Sequence, residues 1–359
     1  MDLLDKFRGC LIGGACGDAL GYAVEFKDYR AIVSQYGPNG ITAYALDPRS
    51  RLALISDDTQ MTLYTGAALL DARSQKAFRL DGEFDAGAWS SCVWEYYQDW
   101  LATQEGSRKA AKQNTWLNNV PELYACRAPG NTCLRALRGA VLGSLEHPIN
   151  DSKGCGGVMR VAPIGLWGAG YSAKAADDKR GLIIQVADRA GAIAAALTHG
   201  HELGYIPAAG LVHVVHLACC QPDCSLREIV LDMRLALEID FSGQRHLPTM
   251  LKLIDKAIGL AEKNNLGDEQ AIRQLGEGWI AEETLAIAVY CALKYSHDFK
   301  RAMVAAVNHS GDSDSTGAVT GNILGAYLGL KAIPSEFTAD LECREALLRM
   351  ADELYGVIA

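Results

Sequence analysis

The clearest pattern along the chain is helical. Residues 59–72 (TQMTLYTGAALLDA), 208–220 (AAGLVHVVHLACC), 281–295 (AEETLAIAVYCALKY) and 315–330 (STGAVTGNILGAYLGL) are rich in Ala and Leu and apolar around most of their circumference. Helices with so wide an apolar face belong in the middle of a bundle rather than on its rim. Pro207, just ahead of the second segment, suits a first-turn position where a missing N–H costs nothing. Alternating Val/Ile/Thr runs are scarce, and residues 41–46 come nearest to a strand.

Glycine adds a second periodicity. Gly9, Gly13, Gly17 and Gly21 recur at a spacing of four, as do Gly317, Gly321, Gly325 and Gly329. On a helix this spacing draws a flat rib, and each interior glycine costs about 1 kcal/mol relative to Ala. Two such ribs require a compensating close approach of backbones. The same spacing pairs membrane helices, but Asp18 and the acids around residue 312 argue against lipid. The expectation is two tightly packed central helices in an all-α, compact orthogonal multi-helix bundle. No linker, low-complexity tract or long-period repeat divides the chain, so residues 1–359 are expected to form one domain, although the length alone would suggest about two.

Composition narrows the function classes. Apolar residues at 49% against 21% charged supply a sizeable core. The 34 Lys plus Arg against 43 Asp plus Glu leave a net charge of -9 with no basic run, so nucleic acid is not an expected partner. An anionic ligand would have to be held locally, by metal ions, backbone amides or helix ends. Asp18 interrupts the only stretch that resembles the apolar part of an export signal, and Cys16 lacks the large aliphatic residue that a lipoprotein site needs three positions earlier. No uncharged apolar run is expected to reach the ~18 residues that span a bilayer, so no membrane partner is expected and the location is expected to be cytoplasmic. Eleven cysteines without CxxC pairs read as reduced, mostly buried thiols, including the local group Cys219, Cys220 and Cys224.

Two acidic clusters carry the candidate chemistry: Ser56, Asp57, Asp58 and Thr59, and Gly311 through Gly317, which contains Asp312, Ser313, Asp314 and Ser315. Asp58 and Asp312 are 254 residues apart. Each cluster directly precedes an apolar helix, so its short polar side chains can be helix caps. One oxygen per helix suffices for a cap. Adjacent carboxylates repel unless a cation neutralises them, and hard oxygen donors without Cys suit Mg²⁺. An all-α isoprenoid synthase would need a DDxxD face, but Met61 and Thr62 occupy the positions one turn beyond Asp57 and Asp58.

Seven segments in order then resemble the ADP-ribosylglycohydrolase family: RGCLIGGACGDALGYAVEF (8–26), SDDTQMTL (56–63), GNTC (130–133), SKGCGGVMRVAPIGL (152–166), ALTHGHELGYIPAAG (196–210), EGWIAEETLAIAVYCAL (277–293) and NHSGDSDSTGAVTGNILGAYLGL (308–330). The resemblance implies an all-α fold around a central binuclear Mg²⁺ site. It places metal ligation on Ser56, Asp57, Asp58, Asp312, Asp314 and Ser315. The family more often carries Thr where this chain has Ser56 and Ser315; the ligating oxygen is kept and a methyl that stiffens the rotamer is lost. Glu25, in GYAVEF, matches an acid on a mobile loop that approaches the scissile bond.

Cleaving a sugar C1–N or C1–O bond builds positive charge at C1, which carboxylates stabilise while they activate water and protonate the leaving group. Glu25, Asp58 and Asp312 are the expected catalytic residues. The glycine-rich loop at 152–157 carries one cation, Lys153, and is not a Walker loop; the resemblance assigns Ser152, Gly154 and Gly156 to the diphosphate and nearby ribose, and His199 to the distal ribose. His199 and His201 do not form HExxH, and His213 and His216 lie on an apolar helix as packing residues; Met159 and Arg160 are read as structural, and Trp279 as a packing residue with a base-stacking or pocket role as the alternative.

The implied activity is Mg²⁺-dependent removal of ADP-ribose from a modified protein, with arginine as the favoured linkage. O-linked serine and small-molecule conjugates are alternatives, and so is a non-catalytic ADP-ribose-binding or structural relative. The implied partners are ADP-ribose, an ADP-ribosylated protein and, for an immunity role, an ADP-ribosylating toxin or its target.

Overall fold

A computed structural model describes residues 2–78, 84–106, 115–139, 141–263 and 265–358. Its long helices, in chain order, are α1 (Leu3–Tyr22), α2 (Asp57–Leu70), α3 (Ala86–Gln104), α4 (Ala162–Lys174), α5 (Asp177–Ala196), α6 (Glu202–Cys220), α7 (Leu226–Asp240), α8 (Leu247–Ala261), α9 (Ala281–Lys294), α10 (Ser313–Leu328) and α11 (Arg344–Ile358). Among the described residues there is no sheet, only isolated bridges such as Gly154 with Ile280. The fold is all-α. Residues 41–46, the nearest to a strand by sequence, form no strand; Asn308 instead holds Ile41 at both its N–H (2.7 Å) and its carbonyl (2.8 Å).

The two glycine ribs face each other. A Cβ on Gly325 would come within 1.9 Å of the Gly9 carbonyl oxygen, one on Gly321 within 1.9 Å of that of Gly13, and one on Gly17 within 1.9 Å of that of Gly317. The pairing runs in opposite directions along the two chains, so α1 and α10 are antiparallel, backbone against backbone, and both are buried along nearly their whole length. Gly329 still faces the opposing rib, since a Cβ on Gly9 would lie 2.6 Å from its carbonyl carbon, but it does not continue the helix. Its φ of 80° ends α10 at Leu328, two residues short of the expected end.

α6 differs from expectation in two ways. It starts at Glu202, capped by His201, which places Pro207 inside the helix and deprives the Leu203 carbonyl of its usual donor. Residues 203–220 also contain no Asp, Glu, Lys or Arg, so an apolar run of membrane-spanning length does exist. It is a core helix: its side chains are buried from Leu203 to Cys219 against α4, α5, α9 and α10. The eleven cysteines are all free thiols.

The histidines of α6 are buried core groups, although His216 Nδ1 has no hydrogen-bond partner. His216 shares a 2.8 Å hydrogen bond with the Ser172 hydroxyl. His213 is clamped between Asp188 of α5 (2.7 Å) and Asp232 of α7 (2.9 Å). Burial, the largest single influence, would lower the His213 pKa; the charges and hydrogen bonds of Asp188 and Asp232 together outweigh it and raise it to about 9. A raised histidine value stabilises the fold fully below the ordinary ~6.5, and the stabilisation is lost as pH rises through about 9. Burial also raises Asp188 to about 6, a change of the same sign whose loss of stability falls mostly below neutrality. Denaturant stability is therefore expected to fall between pH 6.5 and 9 by up to roughly 3 kcal/mol, and to fall much less in His213→Gln. Equal slopes for the two proteins would show that the clamp does not couple folding to pH.

Candidate active site

Both acidic clusters are helix starts, and each uses only part of its oxygen inventory for capping. The Ser56 hydroxyl accepts from the Asp58 N–H (3.2 Å) at the head of α2, and Asp312 accepts from the Ser315 N–H (3.3 Å) at the head of α10. Asp57 accepts from the Gly130 N–H (3.3 Å), which ties the GNTC segment to the site. Asp58 Oδ2 is buried with no hydrogen-bond partner, and so is Glu25 Oε2.

The antiparallel ribs explain how residues so distant in sequence converge. Gly21, near the C-terminal end of α1, abuts the Ser313 carbonyl at the start of α10, so the chain leaving α1 carries Glu25 over the head of α10. Oxygens of Glu25, Asp312 and Asp314 lie within 4.8 Å of one another. Asp18, one turn before the end of α1, fastens α2 to the same place: its carboxylate accepts from the Ser56 N–H (3.0 Å), the Thr59 N–H (3.1 Å) and the Thr59 hydroxyl (2.5 Å).

A cavity of about 410 Å³ opens over these groups, lined by Glu25, Asp57, Asp58, Asp312, Asp314 and Ser315 on one side and by Gly154, Gly156 and His199 on another. Burial, then the neighbouring Asp314 charge, raises Glu25, Asp57, Asp58 and Asp312 above the usual carboxylate range. Asp18 rises to about 7 for the same two reasons, offset in part by its hydrogen bonds to Thr59 and Ser56. Repelling buried acids with unpartnered oxygens form a donor set that fits hard divalent cations. Ser56 stands behind this rim as a cap; Ser315 lines it.

The glycine loop approaches closely because it lacks side chains. A Cβ on Gly156 would lie 3.0 Å from His199 Cε1, and one on Gly154 would lie 3.4 Å from His199 Nε2. The other ring nitrogen, Nδ1, shares a 2.8 Å hydrogen bond with the Thr198 hydroxyl, which accepts from Arg160 (2.7 Å). Burial and then the Arg160 charge push His199 down to about 3, so its ring is neutral. Ser152 is set back from the cavity, with its hydroxyl on Thr132 (3.1 Å) and under the Gly154 N–H (3.4 Å). Lys153 turns to the buried Glu282, so the loop's one cation faces away from an incoming anion.

Three residues of the site were not singled out from sequence. Asp18 is one; an acid in the middle of a glycine rib was the available signal. Cys155 is the second, its thiol donating to Asp312 Oδ2 at 2.7 Å. Phe26 is the third, beside Glu25 on the cavity wall. Met159 lines the cavity, against its structural reading, and Trp279 lines it in keeping with the pocket alternative, whereas Arg160 is wholly buried over the Tyr97 ring (4.2 Å).

Comparison with known proteins places this geometry. The family model described as ADP-ribosylglycohydrolase matches residues 1–359. The ADP-ribosylhydrolase ARH3 of Bos taurus is 25% identical over 381 aligned residues, covering 99% of this chain and 93% of that protein. The ADP-ribosyl-[dinitrogen reductase] glycohydrolase of Rhodospirillum rubrum is 23% identical over 357, covering 98% and 96%. A solved structure titled ADP-ribosylglycohydrolase-related protein complex superposes with a TM-score of 0.60 at 22% identity, covering 99% of each chain.

Proposed function

The chain belongs to the ADP-ribosylglycohydrolase family, and from that premise we propose that it hydrolyses the bond between ADP-ribose and an arginine side chain of a modified protein, with two Mg²⁺ ions, as a single-domain cytoplasmic enzyme. The family supports hydrolysis of ADP-ribose conjugates in general. The convergence of Glu25, Asp312 and Asp314 with Asp57 and Asp58 is the observation that carries the reading. Reversal of an ADP-ribosylating toxin's modification is a role consistent with this activity.

In this reading Asp57, Asp58, Asp312 and Asp314, with the hydroxyls of Ser56 and Ser315, hold the cations. When bound, such ions neutralise the acids and supply Lewis acidity to ribose oxygens. The protein's own groups do the rest. Glu25, with an oxygen committed to no partner, is the proton carrier at the sugar carbon. Cleavage breaks C1–N, water oxygen bonds to C1, and the departing nitrogen takes a proton. Asp58 and Asp312 face the positive charge that grows at C1, and the Cys155 thiol holds Asp312 in orientation. The Gly156 amide meets the diphosphate, Gly154 lets the ligand approach the loop by lacking a side chain, and neutral His199 meets a ribose hydroxyl. Ser152 acts from behind the loop by fixing the Gly154 N–H.

Incubation with arginine-, serine- and nucleotide-linked ADP-ribose, with and without Mg²⁺, tests the proposal. Release from the arginine conjugate only with metal is expected; release from none would leave a binding protein. Glu25→Gln is expected to reduce turnover at least about 100-fold while ADP-ribose binding persists. Unchanged turnover would remove Glu25 from the chemistry.

A further inference from the structure

The cavity rim carries a feature that the hydrolytic machinery does not use. Phe26 is 75% exposed and Trp279 39% exposed, unusual for large aromatic side chains. Their rings stack with centroids 6.0 Å apart and planes 20° from parallel, and both line the cavity. Neither can move far from the acids. Phe26 follows Glu25 directly, and Trp279 follows Gly278, whose absent Cβ would stand 3.5 Å from the Asp312 side chain. The Trp279 carbonyl also accepts from the Cys155 N–H (3.2 Å), the residue whose thiol holds Asp312. The aromatic pair is thus built beside the acids at which the sugar bond is to be broken.

Charge selects the ligand. The lining carries the carboxylates of Glu25, Asp57, Asp58, Asp312 and Asp314, and among the described residues that line the cavity there is no Lys or Arg. With the acids committed to the metal ions, the exposed π-face, free of any competing Lys or Arg on the lining, favours a planar cation, which can lie flat on a ring. We infer that Phe26 and Trp279 form a platform on which the guanidinium of the leaving group stacks, so that the site distinguishes a planar cationic leaving group from an aliphatic hydroxyl. The inference rests on the hydrolase reading for the identity of that cation. The platform itself can be tested without turnover.

The test is titration of agmatine, a free guanidinium compound, into the Mg²⁺-treated protein with ADP-ribose bound, followed by calorimetry. The wild type is expected to bind agmatine at least about tenfold more tightly than butane-1,4-diammonium, which has both charges and no plane. Phe26→Leu and Trp279→Leu, which keep apolar bulk and remove a π-face, are each expected to weaken agmatine at least about tenfold with ADP-ribose affinity within about twofold of wild type; Trp279→Phe is expected to recover most of the loss. Agmatine binding unchanged in both leucine variants, or ADP-ribose binding lost in step with it, as adenine stacking would give, overturns the platform. Agmatine binding that follows this pattern in a protein that releases ADP-ribose from no conjugate would sink the hydrolase reading and keep the platform.

Discussion

Gly321→Val is expected to leave too little stability for the native fold. A Cβ at this position would sit 1.9 Å from the Gly13 carbonyl oxygen and 2.5 Å from its carbon. The obstacle is backbone on a fully buried helix, so no side chain can rotate away, and α1 and α10 would have to separate along their shared rib. Overpacking that flexible neighbours can absorb already costs about 1–3 kcal/mol; here the whole central contact shifts, and the expected loss exceeds about 4 kcal/mol, a large part of the ~5–15 kcal/mol that holds a native domain. Gly17→Val should behave alike, since its Cβ would lie 1.9 Å from the Gly317 oxygen. Gly259→Ala, on α8 with nothing within 4 Å of its Cβ, is the control and should gain about 1 kcal/mol. Urea denaturation followed by circular dichroism separates the cases. If Gly321→Val unfolded at the wild-type midpoint, the ribs would not be the centre of the fold.

Glycine spacing made both ribs legible in the sequence because it is a periodic, costly signal whose only remedy is close approach. Their antiparallel register was not legible, since a rib fits a partner in either direction. The four aspartates were equally plain, as paired acids before apolar helices exceed what capping requires. The place of Asp18 in the site was not legible because a single acid in an apolar helix gives no hint of the amides it will meet; Ser56 and Thr59 come to it only when α2 docks. Lys153 read as a free cation because its neutraliser, Glu282, lies 129 residues away. Pro207 misled by local grammar. A helix held on four sides by α4, α5, α9 and α10 tolerates an interior proline that an isolated helix would not. Phe26 carried no signal and Trp279 only the alternative of a pocket role, for only the fold shows that two aromatic residues so far apart share one exposed stack.

Asp314→Asn is expected to remove activity and, at the same time, to stabilise the metal-free protein at alkaline pH. Its oxygens lie within 4.8 Å of those of Glu25 and Asp312, and its charge is a leading cause, after burial, of the upward shifts of Glu25, Asp57, Asp58 and Asp312. A carboxylate whose folded-state pKa is raised binds its proton more tightly in the folded state than in the unfolded one. Its contribution is therefore present in acid and is lost as pH rises above the ordinary carboxylate range. The metal-free wild type should accordingly be less stable at pH 8 than at pH 5, and Mg²⁺, which substitutes for the missing protons, should raise its melting temperature more at pH 8 than at pH 5. Neutralising one acid removes both the strain and the ligand. Asp314→Asn should melt above the metal-free wild type at pH 8, respond little to Mg²⁺, and lose at least about 100-fold in turnover, since even residues that only orient metal ligands cost about 10–100-fold. Asp18→Asn gives the contrast: it keeps one acceptor oxygen for the Ser56 and Thr59 amides, so the head of α2 and the response to Mg²⁺ should survive in weakened form. A wild type that melts at the same temperature with and without Mg²⁺ at pH 8, and an Asp314→Asn protein that still turns over, would together mean that these acids gather for some purpose other than holding metal.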